Sequence, residues 1–212
     1  LATSVRCCRI LDEVMSGDID DAAPRPVQGL RIGIPTTVAF DGVDASVARA
    51  FEAARQRLAA AGAQIVEIAV PEFAEVVGAA RVATFPGVEA FAWHRELLAR
   101  SESGYDPRVA VRIARGGGIS AADYVWLLGR RAEWMRAIRA RAEAFDVLAM
   151  PTVPAIAPPI AVLEADDDAY HVANLLMLRN PTFINVLDGC ALSLPCHAPG
   201  EAPVGLMLAR FD

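Results

Sequence analysis

At 212 residues, 54% apolar and 22% charged, the chain can bury a substantial core and fits one large domain or two small ones. Its formal net charge of −6 argues against a general nucleic-acid-binding role, which needs a basic face. The 20 Lys and Arg residues are all arginine, so a lysine base or a lysine Schiff base is excluded within these residues.

The longest apolar run, residues 147–163, is too broken by prolines to span a bilayer as a helix. No charged amino-terminal stretch followed by an apolar block resembles a signal peptide. The chain begins at Leu1 without an initiator Met, which leads us to expect a piece of something longer. Cys7, Cys8, Cys190 and Cys196 have neither C-x-x-C metal spacing nor the density of a secreted disulfide scaffold, so cytoplasmic thiols are expected.

In chain order, residues 4–15 space Val5, Cys8, Leu11 or Asp12, and Met15 as an amphipathic helix stopped by Gly17. Residues 18–29, acidic and carrying Pro24 and Pro26, read as a surface linker. Residues 30–34 form a short strand ended by Pro35, and Asp44 is placed to cap the next helix. That helix carries Val47, Ala50, Phe51, Ala54, Leu58 and Ala61 on one stripe, with Gly62 at a left-handed cap. Residues 64–70 alternate as a strand with Glu67 outward. Strand, helix, strand in this order predicts a βαβ-type unit in a sheet covered by helices.

Residues 71–100 are helical with a break at Pro86-Gly87, and 107–115 form a second helical block ending in Gly116-Gly117-Gly118. A third helix starts at Ser120, with Asp123 completing a capping box, and runs to about Phe145. Residues 147–150 suit a buried strand. Beyond it Pro151, Pro154, Pro158 and Pro159 lack the N–H a ladder needs, so the chain leaves the sheet as an extended, stiffened loop. A strand opening into a rigid loop is how α/β proteins carry substrate-facing groups at the carboxyl ends of their strands. An acidic turn at 164–168, a helix from 169 to about 180, and strands at 191–194 and 204–208 complete the chain.

Each motif with chemical potential has a structural counterpart. The three glycines at 116–118 lack the lysine of a phosphate-binding loop, and a helix terminus and turn accounts for them. Ser120 follows glycines as a nucleophile might be placed, yet its role as N-cap suffices, and no G-x-S-x-G elbow exists. Cys196 and His197 are neighbours in an extended segment and point to opposite faces, while Cys190 reads as a small buried apolar residue. His94, His171 and His197 match no metal-binding spacing, and Asp166-Asp167-Asp168 reads as a solvated turn, so no metal site is expected. The arginines of the third helix, interspersed with Glu133 and Glu143, read as a solvated face. The residues alone therefore give an α/β piece with no complete catalytic set.

Several segments taken together resemble the carboxyl-terminal half of the amidase signature family. These are the opening Leu1-Ala2-Thr3-Ser4-Val5-Arg6 with Leu11-Asp12, Leu30-Arg31-Ile32-Gly33-Ile34-Pro35 with Phe40-Asp41-Gly42-Val43-Asp44, and Asp146-Val147-Leu148 with Met150-Pro151-Thr152 and Pro154. The closing pattern is Asn185, Leu192-Ser193-Leu194-Pro195 and Pro203-Val204-Gly205-Leu206-Met207-Leu208. Two positions depart from it: Leu178 aligns where amidotransferase A subunits carry aspartate, and Asp188-Gly189-Cys190 replaces the usual Gly-x-Pro. The chain also stops at Asp212, where relatives continue into a final helix.

The resemblance implies an α/β/α layered fold with a mixed sheet, residues 1–212 being the carboxyl-terminal portion of a single amidase domain. It implies hydrolysis of a carboxylic amide C–N bond through an acyl-serine intermediate, with the Ser, cis-Ser and Lys triad outside this chain. No catalytic residue, metal or cofactor is then expected here, and these residues alone are expected to be inactive. Arg112 is the candidate substrate-binding residue, its counterpart in the related amidotransferase subunits facing substrate; a surface ion-pair arginine is the alternative. The expected partners are a small-molecule amide, the missing amino-terminal half and further copies of the chain, with neither nucleic acid nor membrane. The competing readings are a truncated, non-catalytic interaction module and an aminoacyl-tRNA amidotransferase A subunit, the latter requiring partner subunits and glutamine. A hydrophobic surface is expected where the missing half would pack.

Overall fold

The computed structural model describes residues 2–19 and 23–211. Leu1 of the opening segment, residues 20–22 of the expected linker and the terminal Asp212 lie outside the described residues. The elements are α1 (Val5–Ser16), β1 (Arg31–Pro35), α2 (Ala45–Ala60), β2 (Gln64–Ile68), α3 (Pro71–Ala79), α4 (Phe85–Ser101) and α5 (Pro107–Arg115). They continue with α6 (Ala121–Ala142), β3 (Val147–Pro151), α7 (Ile160–Ala165), α8 (Asp167–Val186), β4 (Cys190–Pro195) and β5 (Gly205–Arg210), with 3-10 turns at Glu102–Gly104 and Gly116–Gly118.

The five strands form one mixed sheet in the order β2-β1-β3-β5-β4. β1 runs parallel to β2 and β3, and β5 runs antiparallel to β3 and β4. Strand alternation then separates two cores. Leu148 and Met150 of β3 and Met207 and Ala209 of β5 join the helices α3, α6 and α8 on one face. Ile32 and Ile34 of β1, Ala149 and Leu206 pack with Val47, Ala50, Phe51 and Ala54 of α2 on the other. This is the expected α/β/α layering. The first core is centred on Phe73 and Phe183, whose rings stack 4.1 Å apart at 8°.

Local chemistry fixes several junctions as the sequence predicts. The Asp44 side chain accepts from the Val47 N–H at the start of α2, Ser120 accepts from the Asp123 N–H at the start of α6, and Gly62 takes φ +92°. Glu67 is exposed on the edge strand β2. Asp146, first residue of the Asp-Val-Leu segment, accepts from the Arg31 N–H at 2.8 Å and returns its own N–H to the Arg31 carbonyl at 2.8 Å, so it staples β1 to β3 where both begin.

Four expectations are corrected. α8 does not end near Asn180 but runs six residues further, through Pro181. Phe183, Ile184 and Leu187 bury there, and Thr182 Oγ1 donates to the Leu178 carbonyl, so packing outweighs the donor that Pro181 removes. The proline-rich segment is not extended throughout: after bends at 152–155 it leads through Pro159 into the short helix α7. Asp166 is no mere solvated turn, since its side chain caps α8 through the N–H groups of Asp168 and Ala169. Cys190 is exposed rather than buried, because β4 is an edge strand, and Cys196 is the buried thiol, its pKa pushed up by that burial.

Among the described residues no helix is long and apolar enough to cross a membrane. α1 buries no residue, and Val14, Met15 and Ile19 are each more than three-quarters exposed, as is Trp93 on α4.

Candidate functional site

The loops leaving the carboxyl ends of β1 and β3, residues 36–44 and 152–159, meet over one buried side chain. Asn180, fully buried on α8, donates from Nδ2 to the Ala39 carbonyl at 3.0 Å and to the Pro151 carbonyl at 2.8 Å. Its Oδ1 accepts from Arg179 Nε at 3.1 Å, and Arg179 itself donates to the carbonyls of Asp41 and Ala39. Burial pulls the Arg179 guanidinium below its ordinary pKa, and the Asp41 charge acts against that pull. Beside these contacts Val38 sits at φ +61°, an uncommon conformation for a β-branched residue and one that concentrates at functional sites.

Asp44 adds a second tie. Its N–H donates to the Pro154 carbonyl at 2.9 Å, and its Oδ2 accepts from the Ile156 N–H at 2.7 Å. Burial acts to raise the carboxyl's pKa, but the N–H groups of Val47, Ile156 and Ser46 outweigh it and hold the group below the usual carboxylate range. A depressed folded pKa stabilises the fold above the unfolded value of about 3.9 and loses that stabilisation as pH falls through the folded one. Asp44→Ala is therefore expected to cost about 2 kcal/mol at neutral pH, combining a lost cap with an unpaired Ile156 N–H. The variant's stability curve should also be flatter in acid, which chemical denaturation across a pH series checks.

At the third strand end, Thr152 Oγ1 and Ser193 Oγ share a hydrogen bond of 2.6 Å across the start of β5, where a Cβ on Gly205 would lie 2.6 Å from the first and 2.5 Å from the second. Thr152 N–H donates to the Gly205 carbonyl at 2.8 Å, so Pro151 carries its missing donor on the side away from β5.

Arg112 lies elsewhere, exposed on α5, where it lines a cleft of about 460 Å³ between the α3–α4 connection, the start of α4, α5 and the glycine turn. Its walls include Arg81, Ala83, Gly87, Arg115, Gly116 and Ile119. Among the described residues Arg112 has no hydrogen-bond or ion-pair partner. The glycines shape this cleft by close approach rather than left-handed geometry: Gly116 has φ −60°, and a Cβ there would fall 1.9 Å from the Gly87 carbonyl oxygen.

The remaining candidates stay apart. Ser120 bonds with Asp123, His197 Nδ1 accepts from the Val204 N–H, and His94 Nδ1 pairs with the Tyr105 hydroxyl. No group of three or more His, Cys, Asp or Glu residues that could hold a metal is present among the described residues. Sequence reasoning missed Asn180, although a signal was present. Asn180, Phe183, Ile184 and Leu187 share one helical stripe, and an asparagine on an apolar stripe marks a buried polar contact. Asn185, quoted for the closing pattern, is by contrast exposed.

The family model for amidases matches residues 1–209. The chain belongs to the amidase family. Among curated relatives, the 2-amino-5-chloromuconic acid deaminase of Comamonas testosteroni is 36% identical over 190 residues, 88% of this chain and 40% of that protein. The A subunit of the glutamyl-tRNA(Gln) amidotransferase of Natronomonas pharaonis is 31% identical, over 89% of this chain and 48% of that protein. A crystal structure of an amidase superposes with a TM-score of 0.78 at 22% identity, covering 97% of this chain and 46% of that one. The chain thus spans less than half the length of these relatives. Of the segments that carry the resemblance, the loop from Phe40 to Asp44, Thr152 after β3, and Ser193 against Gly205 lie at the carboxyl ends of β1 and β3, whereas Asp146 ties those strands at their other end.

Proposed function

We propose that this chain is the sheet-and-cleft portion of a hydrolase that splits a carboxylic amide into acid and ammonia or amine. A serine hydroxyl attacks the amide carbonyl carbon, the C–N bond breaks as the leaving nitrogen takes a proton, and water then releases the acyl-serine. The Ser, cis-Ser and Lys residues for this lie outside the 212 residues, since no lysine occurs within them. The amidase match across residues 1–209 carries the reading. What this chain contributes is the sheet edge held by Asn180 and Asp44 and a cleft in which Arg112 contacts the substrate. The exposed residues Val14, Met15 and Trp93 supply apolar surface for the other portion of the protein to cover.

The encoded protein is expected to release ammonia or amine from members of an amide panel and to accumulate an acyl-enzyme visible by mass, while residues 1–212 alone release none. Arg112→Ala in the encoded protein should raise KM about tenfold or more for carboxylate-bearing amides with a smaller change for neutral ones, the size of a lost charge-assisted hydrogen bond. Equal losses on both substrate types would remove Arg112 from the substrate site. A second reading, an amidotransferase A subunit, is favoured by the relative from N. pharaonis. Leu178, where the resemblance expects aspartate, weighs against it, and copurifying subunits with dependence on glutamine would establish it. A non-catalytic module is the outcome if the encoded protein hydrolyses no amide.

A further inference from the structure

The cleft that holds Arg112 carries more positive charge than one substrate carboxylate uses. Arg81, Arg112 and Arg115 all line it, no acidic residue does, and none of the three has a side-chain partner among the described residues. Several arginines elsewhere are matched with carboxylates: Arg108 with Asp167, Arg130 with Glu75 and Glu133, Arg131 and Arg139 with Asp188, and Arg141 with Glu72. Three unmatched guanidinium groups around one cavity repel each other until an anion enters. They also form a positive focus on a chain whose net charge is −6.

One further feature acts in the same direction. Most of the rest of the wall is apolar, including Val82, Ala83, Val109, Ile113 and Ile119, and about 460 Å³ is the volume of a small-molecule site. Arg112 and Arg115 stand three residues apart on α5, whereas Arg81 comes from the separate segment between α3 and α4. We propose that this cleft binds a small organic dianion, a dicarboxylate whose carbon skeleton lies on the apolar wall and whose two carboxylates are shared between the α5 pair and Arg81. This deepens the hydrolase reading and rests on it for the ligand's role as substrate; the binding itself does not depend on turnover.

The test is isothermal titration of the encoded protein with succinate, glutarate, butyrate and neutral succinamide at low salt. One of the dicarboxylates is expected to bind at least about tenfold more tightly than butyrate, with succinamide weaker still and the preference reduced by added salt. Arg81→Gln, at an exposed position, should remove about tenfold from dicarboxylate affinity and leave butyrate, which needs only the α5 pair, little changed, whereas Arg115→Gln should weaken both ligands, with folding of each variant confirmed by denaturation. Equal affinity for dicarboxylate and butyrate in the parent, or an undiminished preference in Arg81→Gln, overturns the site. Dicarboxylate binding without hydrolysis of any amide overturns the substrate role and leaves the site standing; hydrolysis of amides with no dicarboxylate preference does the reverse.

Discussion

Alanine at Gly116 is expected to cost about 3 kcal/mol of folding stability and to disturb the arginine cleft with it, near the upper end of what overpacking does. The added Cβ would stand 1.9 Å from the Gly87 carbonyl oxygen, 2.6 Å from its carbon and 2.9 Å from Phe91 Cβ. Two of these neighbours are backbone, so no rotamer change relieves the clash; α4 and the glycine turn must separate. α5 runs directly into that turn and carries Arg112 and Arg115, so the separation moves one cleft wall against the other. Gly118 is the control. A Cβ there meets nothing within 4 Å, and Gly118→Ala should stay within about 0.5 kcal/mol of the parent. Urea denaturation of both variants checks the pair, and equal stabilities would mean that close approach does not explain the glycine at 116.

These glycines also mark the boundary of what sequence could tell. Three consecutive glycines announce a turn, and a turn is found, but whether glycine is there for a left-handed φ or for missing bulk depends on what lies opposite. Gly62, at φ +92°, is the first kind and follows from its place after a helix; Gly116 is the second and depends on Gly87, 29 residues away in a different helix. The caps at Asp44 and Ser120 were legible because each bonds to an N–H three residues ahead. The short apolar strands were legible from their bounding prolines. Their order was not, because β3 lies beside β1 only through pairings more than a hundred residues apart. The end of α8 was placed too early for a related reason: burial of Phe183, Ile184 and Leu187, which only the tertiary arrangement supplies, carries the helix past Pro181.

The site divides in the same way. Arg112 entered through a resemblance and proves to line a cleft, but its companions Arg81 and Arg115 could not be assigned with it until the α3–α4 connection was brought beside α5. No spacing in the sequence relates position 81 to position 115. The arginines of α6 read as a solvated face; Arg130 does pair locally with Glu133, but Arg131, Arg139 and Arg141 reach Asp188 and Glu72, which the sequence spacing could not bring beside them.

Asn180→Asp should be the more damaging change at the sheet's carboxyl edge, costing about 4 kcal/mol at neutral pH although the side chain keeps its size. Asn180 Nδ2 donates two hydrogen bonds, to the carbonyls of Ala39 and Pro151, in a position with no exposure to water. Aspartate replaces that donor with an oxygen facing two acceptors, so two buried bonds are lost and a charge is placed against carbonyl dipoles. Arg179, 3.1 Å from the retained Oδ1, offsets part of the cost, which keeps the figure below that of an isolated buried charge. The pH dependence separates this account from simple loss of packing. Burial and the two carbonyls favour the protonated acid, which can donate one bond, so the variant's folded pKa lies above its unfolded one. Its contribution to stability is then largest below the unfolded value and is lost as pH rises through the folded value, the opposite of Asp44. Denaturation midpoints should therefore show Asn180→Asp closest to the parent in mild acid and furthest from it at neutral pH. Asn180→Ala, which brings no titrating group, should show a deficit of about 3 kcal/mol that does not change over the same range. Parallel curves for the two variants would mean that the carbonyls of Ala39 and Pro151 do not depend on this donor, and that the tie between the two loops is the one made by Asp44.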